Sequence, residues 1–97
     1  MLTLTVGHTY RAKRPANSGG RVNDRTIVWK SQDGALVQYD GPAVRFGAHY
    51  PKVTSDKFSE WAGEDVTHLY DKGDTDWETW KSYVLTKKIN KAARKEG

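Results

Sequence analysis

Aromatic and basic side chains are interspersed near the carboxyl end of this chain in a pattern that suits a nucleic-acid base and its phosphates. The steps are three, four, four and three residues between Trp80, Tyr83, Lys87, Lys91 and Arg94. On a helix this spacing places all five side chains along one edge. A base stacked on such an aromatic ring contributes about 1 to 3 kcal/mol, and the cations would contact phosphates. The alternative is a solvated lysine face with Trp80 buried against the domain.

A loop rich in turn-forming residues is the second candidate site. It runs from Pro15 to Gly20 and is flanked by five cations, which are Arg11, Lys13, Arg14, Arg21 and Arg25. Gly19 and Gly20 leave backbone amides accessible, so the loop could fold onto a polyanion. It is not a phosphate-binding loop of the nucleotide-hydrolase type, because no Gly-Lys-Ser or Gly-Lys-Thr follows the glycines. An ordinary surface loop is the alternative.

Catalytic and metal-binding patterns are weak in this sequence. The three histidines, His8, His49 and His68, are far apart, and the chain has no Cys. A metal site would therefore have to be assembled entirely by the fold. The acidic stretch that begins at Asp74 lacks the Gly and the bidentate Glu of a calcium loop. We expect a binding protein rather than an enzyme, with no catalytic residue, no metal and no cofactor.

Length and charge narrow the class of protein. Ninety-seven residues allow one domain with a modest core, and sixteen Lys or Arg against twelve Asp or Glu give a net charge of +4. The segment from Lys81 to Gly97 alone carries six Lys or Arg against one Glu, so anionic partners would be steered to particular faces. No apolar run reaches membrane length and no signal peptide is evident, so we expect a cytoplasmic protein with no membrane partner.

Short β-rich segments predict a mainly β (α+β) fold. The alternation of Leu2, Leu4 and Val6 with threonines is typical of a strand that buries one face. Residues 25–30 and 35–40 predict a hairpin, because an Asp33-Gly34 step lies between them. One more strand is expected over residues 66–70. About five short strands punctuated by glycine favour a small barrel over residues 1–70.

Helix signals appear in the second half of the chain. Ser55 can cap a helical turn that runs through Phe58 to Trp61. Thr75 and Glu78 form a capping box, which predicts a helix from about Asp76 to about Lys95. We expect this amphipathic helix, within a segment spanning residues 71–97, to pack on the barrel or on a partner subunit. Its apolar face would consist of Trp77, Val84, Leu85, Ile89 and Ala92.

Several short motifs resemble those of small bacteriophage-encoded proteins with a Src-homology-3-like barrel. The matching segments are 6–13 (Val-Gly-His-Thr-Tyr-Arg-Ala-Lys), 23–27 (Asn-Asp-Arg-Thr-Ile), 37–40 (Val-Gln-Tyr-Asp), 51–53 (Pro-Lys-Val) and 58–62 (Phe-Ser-Glu-Trp-Ala). The resemblance covers about residues 6 to 62 and leaves the last helix outside. It implies a phage accessory protein that acts by binding in the bacterial host cytoplasm. It carries no catalytic residues over to this chain.

Three binding functions follow from these observations. The first is nucleic-acid binding, with the loop cations on phosphates and Trp80 or Tyr83 stacking a base. The second is inhibition of a host protein, such as a defence protein, through exposed aromatic anchors. The third is sequestration of a nucleotide signal by a homo-oligomer, whose subunit boundary would form the pocket. Because Trp29, Tyr39 and Trp61 are expected to be structural, the loop and the helix edge remain as candidate sites.

Overall fold

The computed structural model describes residues 2–44, 49–70 and 77–96, with side chains described as far as Ile89. Its main feature is an antiparallel sheet of five strands in the order β6-β5-β4-β1-β7. These strands are β1 (Thr9–Ala12), β4 (Arg25–Lys30), β5 (Leu36–Asp40), β6 (Lys52–Thr54) and β7 (Ala62–Asp65). A mainly β fold with a carboxyl-terminal helix is therefore confirmed. The described strands do not close into the expected barrel, because β6 and β7 lie at opposite edges and do not pair with each other.

The hairpin predicted around Asp33-Gly34 is confirmed as β4 and β5. A carboxylate oxygen of Asp33 accepts hydrogen bonds from the amide of Ala35 at 3.0 Å and from the hydroxyl of Ser31 at 2.7 Å. Gly34 has a φ of 77°, in the left-handed region that residues with a Cβ atom rarely adopt. The turn residues thus fix the register of the two longest strands.

The segment expected to be a loop forms a second, two-stranded hairpin. Its strands are β2 (Asn17–Ser18) and β3 (Arg21–Val22). Gly19 and Gly20 have φ values of 59° and 91°, and two consecutive left-handed residues are the signature of a tight turn that suits twisted strands. The side chain of Asn17 accepts a hydrogen bond of 2.7 Å from the amide of Gly20. The glycines therefore build an ordered turn.

Two strand predictions are wrong. Residues 2–6 do not form a strand. Their backbone is instead held by the hydroxyl of Tyr10, which accepts a hydrogen bond from the amide of Thr5 and donates one to the carbonyl of Thr3, both at 2.8 Å. Leu4 is still buried, whereas Val6 is half exposed. Residues Thr67–Leu69 form a 3-10 turn, and the strand that pairs with β1 is β7, immediately before it.

Both helices are present but begin at other residues than predicted. Helix α1 spans Ser55–Trp61, and its cap is Thr54, whose side chain accepts from the amide of Lys57. Helix α2 spans Trp80–Glu96, and the hydroxyl of Thr79 accepts from the amide of Ser82 at 3.2 Å. The predicted cap at Thr75 lies outside the described residues. Neither described helix is both long and apolar enough to cross a membrane.

The core lies between the sheet and α1. Tyr10, Ile27, Val37 and Phe58 are fully buried there, and the rings of Tyr10 and Phe58 meet edge to face with centroids 5.6 Å apart. Partly buried members of the same cluster include Tyr39 and Trp61, which confirms their structural assignment. The assignment of Trp29 to the core is wrong. Its side chain is exposed, and the ammonium of Lys52 lies 5.0 Å from its ring centroid.

Candidate polyanion-binding surface

A buried ion-pair network lies on the face of the sheet opposite α1. Tyr10 and Arg11 are adjacent in β1 and point to opposite faces, so Tyr10 enters the core while Arg11 faces the start of α2. Arg11 donates two parallel hydrogen bonds of 2.9 Å, from Nε and Nη2, to the two carboxylate oxygens of Asp24. Its Nη2 also pairs with Glu78. Two carboxylates therefore neutralise one buried guanidinium.

The hydroxyl of Tyr70 completes this network by donating to Asp24. Burial and this hydrogen bond raise the pKa of Tyr70 well above its ordinary value. Burial by itself would lower the pKa of Arg11, but its hydrogen bonds to Asp24 and Glu78 outweigh burial and raise it. Because the guanidinium of Arg11 is committed to these carboxylates, it serves to hold Glu78 and the start of α2 against the sheet.

The glycine hairpin and helix α2 are joined through their backbones. The amide of Trp80 donates to the carbonyl of Gly20, and the amide of Val22 donates to the carbonyl of Glu78, each at 2.9 Å. Between these bonds, Arg21 and Thr79 form an antiparallel bridge. A guanidinium nitrogen of Arg21 donates to the carbonyl of Trp77 at 2.6 Å. The two candidate sites predicted from sequence therefore adjoin and form one continuous surface.

Trp80 and Tyr83 divide this surface into two concavities. Their ring centroids lie 5.2 Å apart. On the Tyr83 side is a cleft of about 280 Å³, which we call the Tyr83 cleft, with walls that include Lys13, Pro15, Glu64, Tyr83 and Lys87. On the Trp80 side is a groove of about 720 Å³, which we call the Trp80 groove, with walls that include Gly20, Trp80, Lys81, Val84, Leu85 and Lys88.

The Tyr83 cleft combines one aromatic ring with solvent-facing cations. The guanidinium carbon of Arg11 lies 5.1 Å from the centroid of Tyr83, and the ammonium of Lys87 lies 5.9 Å from it. Lys13 is exposed, and its amide donates to the carbonyl of Trp61 at 2.9 Å, which fixes its position beside the cleft. Since Arg11 is neutralised by its carboxylates, the available positive charge comes from Lys13 and Lys87.

Four exposed lysines line the two concavities beside the aromatic pair and form no ion pair with the rest of the described chain: Lys13, Lys81, Lys87 and Lys88. Arg14, which follows Lys13 in sequence, is also exposed but lines neither concavity. The other predicted site residues differ in position. Lys91 and Arg94 lie farther along α2, but their side chains are outside the described set. Arg25 lies away from this surface, on the α1 side of the sheet, where it contacts Tyr39 and Trp61.

Sequence reasoning missed the residues that organise the surface. Asp24 and Tyr70 are not among the candidate site residues predicted from sequence, and Glu78 is predicted only to cap a helix. The partners of Arg11 are 13 and 67 residues away in sequence, so no local pattern identifies them. The network forms only in the folded chain, where separate segments bring Asp24, Tyr70 and Glu78 together around Arg11.

No protein-family model, curated protein or solved structure matches this chain. The geometry and charge of the surface are therefore the basis on which a function is proposed.

Proposed function

We propose that this protein binds single-stranded nucleic acid on the surface formed by the glycine hairpin and α2. The observation that carries the proposal is the backbone connection between Gly20 and Trp80, because it brings the glycine hairpin to an aromatic pair whose two concavities are lined by four exposed lysines. Cations that track a backbone and aromatic rings that stack bases are the two components of single-strand recognition. A duplex, whose bases are already stacked, would use only the cations.

The Tyr83 cleft is the proposed base subsite. Lys87 is exposed, and its ammonium lies 5.9 Å from the ring centroid, near the outer limit of a cation–π contact. A base can displace this weak contact and stack on Tyr83, while the ammonium of Lys87 turns to the adjoining phosphate. Lys13, on the other wall of the cleft, contacts the next phosphate. The proposal requires no catalytic residue, metal or cofactor.

Source and location belong to the same proposal. The resemblance of residues 6 to 62 to phage proteins with Src-homology-3-like barrels favours a phage accessory protein that acts in the bacterial host cytoplasm. Nucleotide sequestration by an oligomer uses similar groups, so mononucleotides and cyclic dinucleotides are included as competitors. Saturable binding of such a nucleotide that excludes the single strand would replace this proposal with sequestration.

Charge reversal in the cleft tests the proposal against general electrostatic attraction. The test variant is Lys13→Glu/Lys87→Glu, and the matched control is Lys52→Glu/Lys57→Glu, which changes the net charge equally at exposed residues of β6 and α1. Affinity for a fluorescent 20-nucleotide single strand is measured by anisotropy. We expect the cleft variant to bind more than about tenfold more weakly and the control to retain most of the affinity. Equal losses in both variants would contradict the proposed site.

A second function is favoured by the Trp80 groove, whose apolar residues remain open. Leu85, which lines the groove, is 60% exposed, and Ile89, four residues farther along α2 on the same apolar face, is 59% exposed. The exposed ammonium groups of Lys81 and Lys88 border this groove. A second copy of the basic α2 would bring like charges together, whereas an amphipathic helix with acidic flanks matches both the apolar floor and the basic border. The corresponding partner is a host protein bearing such a helix.

A matched pair of variants tests this second function. Leu85→Glu places a charge in the groove, and Leu69→Glu places one at another exposed leucine, 52% accessible, outside it. A nuclease-resistant host partner with an acidic amphipathic helix should be lost with Leu85→Glu and retained with Leu69→Glu. If sedimentation shows a dimer that Leu85→Glu dissociates, the groove belongs to a second copy, and this partner is excluded.

A further inference from the structure

Arg25 occupies an unusual position on the opposite side of the sheet. Its guanidinium carbon lies 4.1 Å from the ring centroid of Trp61 and 4.4 Å from that of Tyr39. One face of a guanidinium has room for one ring at such distances, so the group is held between the two aromatic rings. Both rings also pack against Phe58 in the core, with centroid distances of 5.3 Å and 5.9 Å. The guanidinium of Arg25 therefore packs against rings that are themselves held by the core.

The edge of this guanidinium remains available. In the part of the chain that the structure describes, no carboxylate forms an ion pair with Arg25, unlike Arg11, which has two. No buried side-chain nitrogen or oxygen among those residues lacks a hydrogen-bond partner. The guanidinium of Arg25 forms no hydrogen bond with the described residues, so solvent reaches those of its nitrogen atoms that these residues leave without a partner. A ligand can therefore reach them from solvent.

The electrostatic environment favours a bound anion. Burial lowers the pKa of Arg25, and the Coulombic contribution of Tyr39 opposes that effect only in part. Aromatic faces stabilise a cation but offer no acceptor for its N–H groups. A half-buried cation without a counter-charge gains more from an oxyanion than a fully hydrated one does. The described residues therefore supply the aromatic faces but no carboxylate for this cation.

We propose that the exposed edge of Arg25 is a binding site for an oxyanion, a carboxylate or a phosphate, held by two parallel N–H···O hydrogen bonds. The planar fork of a guanidinium matches the oxygen spacing of both groups, and the rings fix its orientation before the ligand arrives. This site is independent of the proposed nucleic-acid surface, because it lies on the other side of the sheet and depends on the fork rather than on summed charge.

The test is an NMR titration of the full chain at constant ionic strength, with sodium phosphate and sodium acetate as separate probes. The observed signals are the side-chain Nε–H of Arg25 and the indole N–H of Trp61. We expect saturable shifts of both signals with at least one probe. Saturation with phosphate alone assigns a phosphate ligand, and saturation with acetate as well assigns a carboxylate or either group.

Two variants separate the fork from its charge. Arg25→Lys keeps the charge but removes the planar fork, and we expect the Trp61 signal to report binding about tenfold weaker or absent. Arg14→Lys makes the same change at an exposed arginine that lines neither concavity, and it should bind like the unmodified protein. Each variant is first compared with the unmodified protein by its Tm and amide spectrum, and Arg25→Gln replaces Arg25→Lys if the latter is unfolded. Shifts that never saturate, or undiminished binding by the folded substitute, would overturn the proposal.

Discussion

The amide nitrogen of Trp80 donates a hydrogen bond of 2.9 Å to the carbonyl oxygen of Gly20. This bond places the first residue of α2 on the tip of the β2–β3 hairpin. Because both glycines of that tip have left-handed backbones, the carbonyl is presented in a fixed direction. The candidate surface is therefore built from residues distant in sequence, and its integrity depends on the groups that hold α2 in place.

The first prediction concerns Arg11 as the residue that holds α2 in place. Arg11→Ala leaves the buried carboxylate of Asp24 and the partly buried one of Glu78 without their cation, so we expect a loss of about 3 to 5 kcal/mol in the free energy of unfolding. Urea denaturation followed by tryptophan fluorescence measures it. The control Arg14→Ala removes an exposed arginine and should change stability by less than about 0.5 kcal/mol. Similar small effects of both changes would contradict the structural role of Arg11.

The second prediction concerns base stacking on Tyr83. Tyr83→Leu keeps an apolar side chain but removes the ring, so affinity for a single strand should fall about fivefold to 150-fold, in keeping with the loss of one stacked base. Tyr50→Leu is the control, because Tyr50 is 46% exposed and does not line the Tyr83 cleft. Duplex affinity should be nearly unchanged in both variants. An equal loss for single strand and duplex would indicate that Tyr83 stacks no base.

The third prediction concerns pH and the pair of His8 and Asp65. Burial favours a higher pKa for Asp65, but hydrogen bonds from Thr67 and from His8, whose Nδ1 lies 2.7 Å from Oδ2, outweigh it and lower the pKa. A lowered folded-state pKa gives stability that is present above the unfolded value of about 3.9 and is lost as pH falls through the folded value. Asp65→Asn should therefore lose less stability than the unmodified protein between neutral pH and about pH 3. Urea denaturation at a series of pH values measures the difference. If both proteins lose stability equally, the ionised Asp65 contributes nothing.

The parts of the fold that sequence predicts correctly are those specified by local chemistry. The Asp33-Gly34 turn fixes the β4–β5 hairpin for two local reasons. The carboxylate of Asp33 accepts a hydrogen bond from the amide of Ala35, and Gly34 adopts the left-handed backbone that the turn requires. The predicted strand at residues 2–6 does not form, because a side chain outside that segment determines its backbone conformation. Leu2, Leu4 and Val6 have the period of a strand, but the hydroxyl of Tyr10 takes the backbone groups of Thr3 and Thr5. No pattern within residues 2–6 contains that information.

The candidate site was predicted in part. The aromatic and basic spacing identified Trp80, Tyr83 and Lys87, and the structure places the glycine hairpin beside them. Arg11 and Arg25 are both arginines that flank the glycine hairpin in sequence. Arg11 is nevertheless paired with carboxylates, whereas Arg25 contacts two aromatic rings. Strand alternation and long-range partners decide between these environments, and neither can be deduced from charge and composition.

The salt dependence of single-strand binding is the decisive test of whether this surface contacts nucleic-acid phosphates. Four exposed lysines line the concavities beside Trp80 and Tyr83. If all four contact phosphates, the logarithm of the association constant should fall against the logarithm of salt concentration with a slope of about −3. Anisotropy of a fluorescent 20-nucleotide strand, measured between about 50 and 200 mM salt, should then show affinity falling about 50- to 60-fold. Absence of binding at the lowest salt, or an affinity that does not change over this range, would contradict the claim that this surface binds nucleic acid.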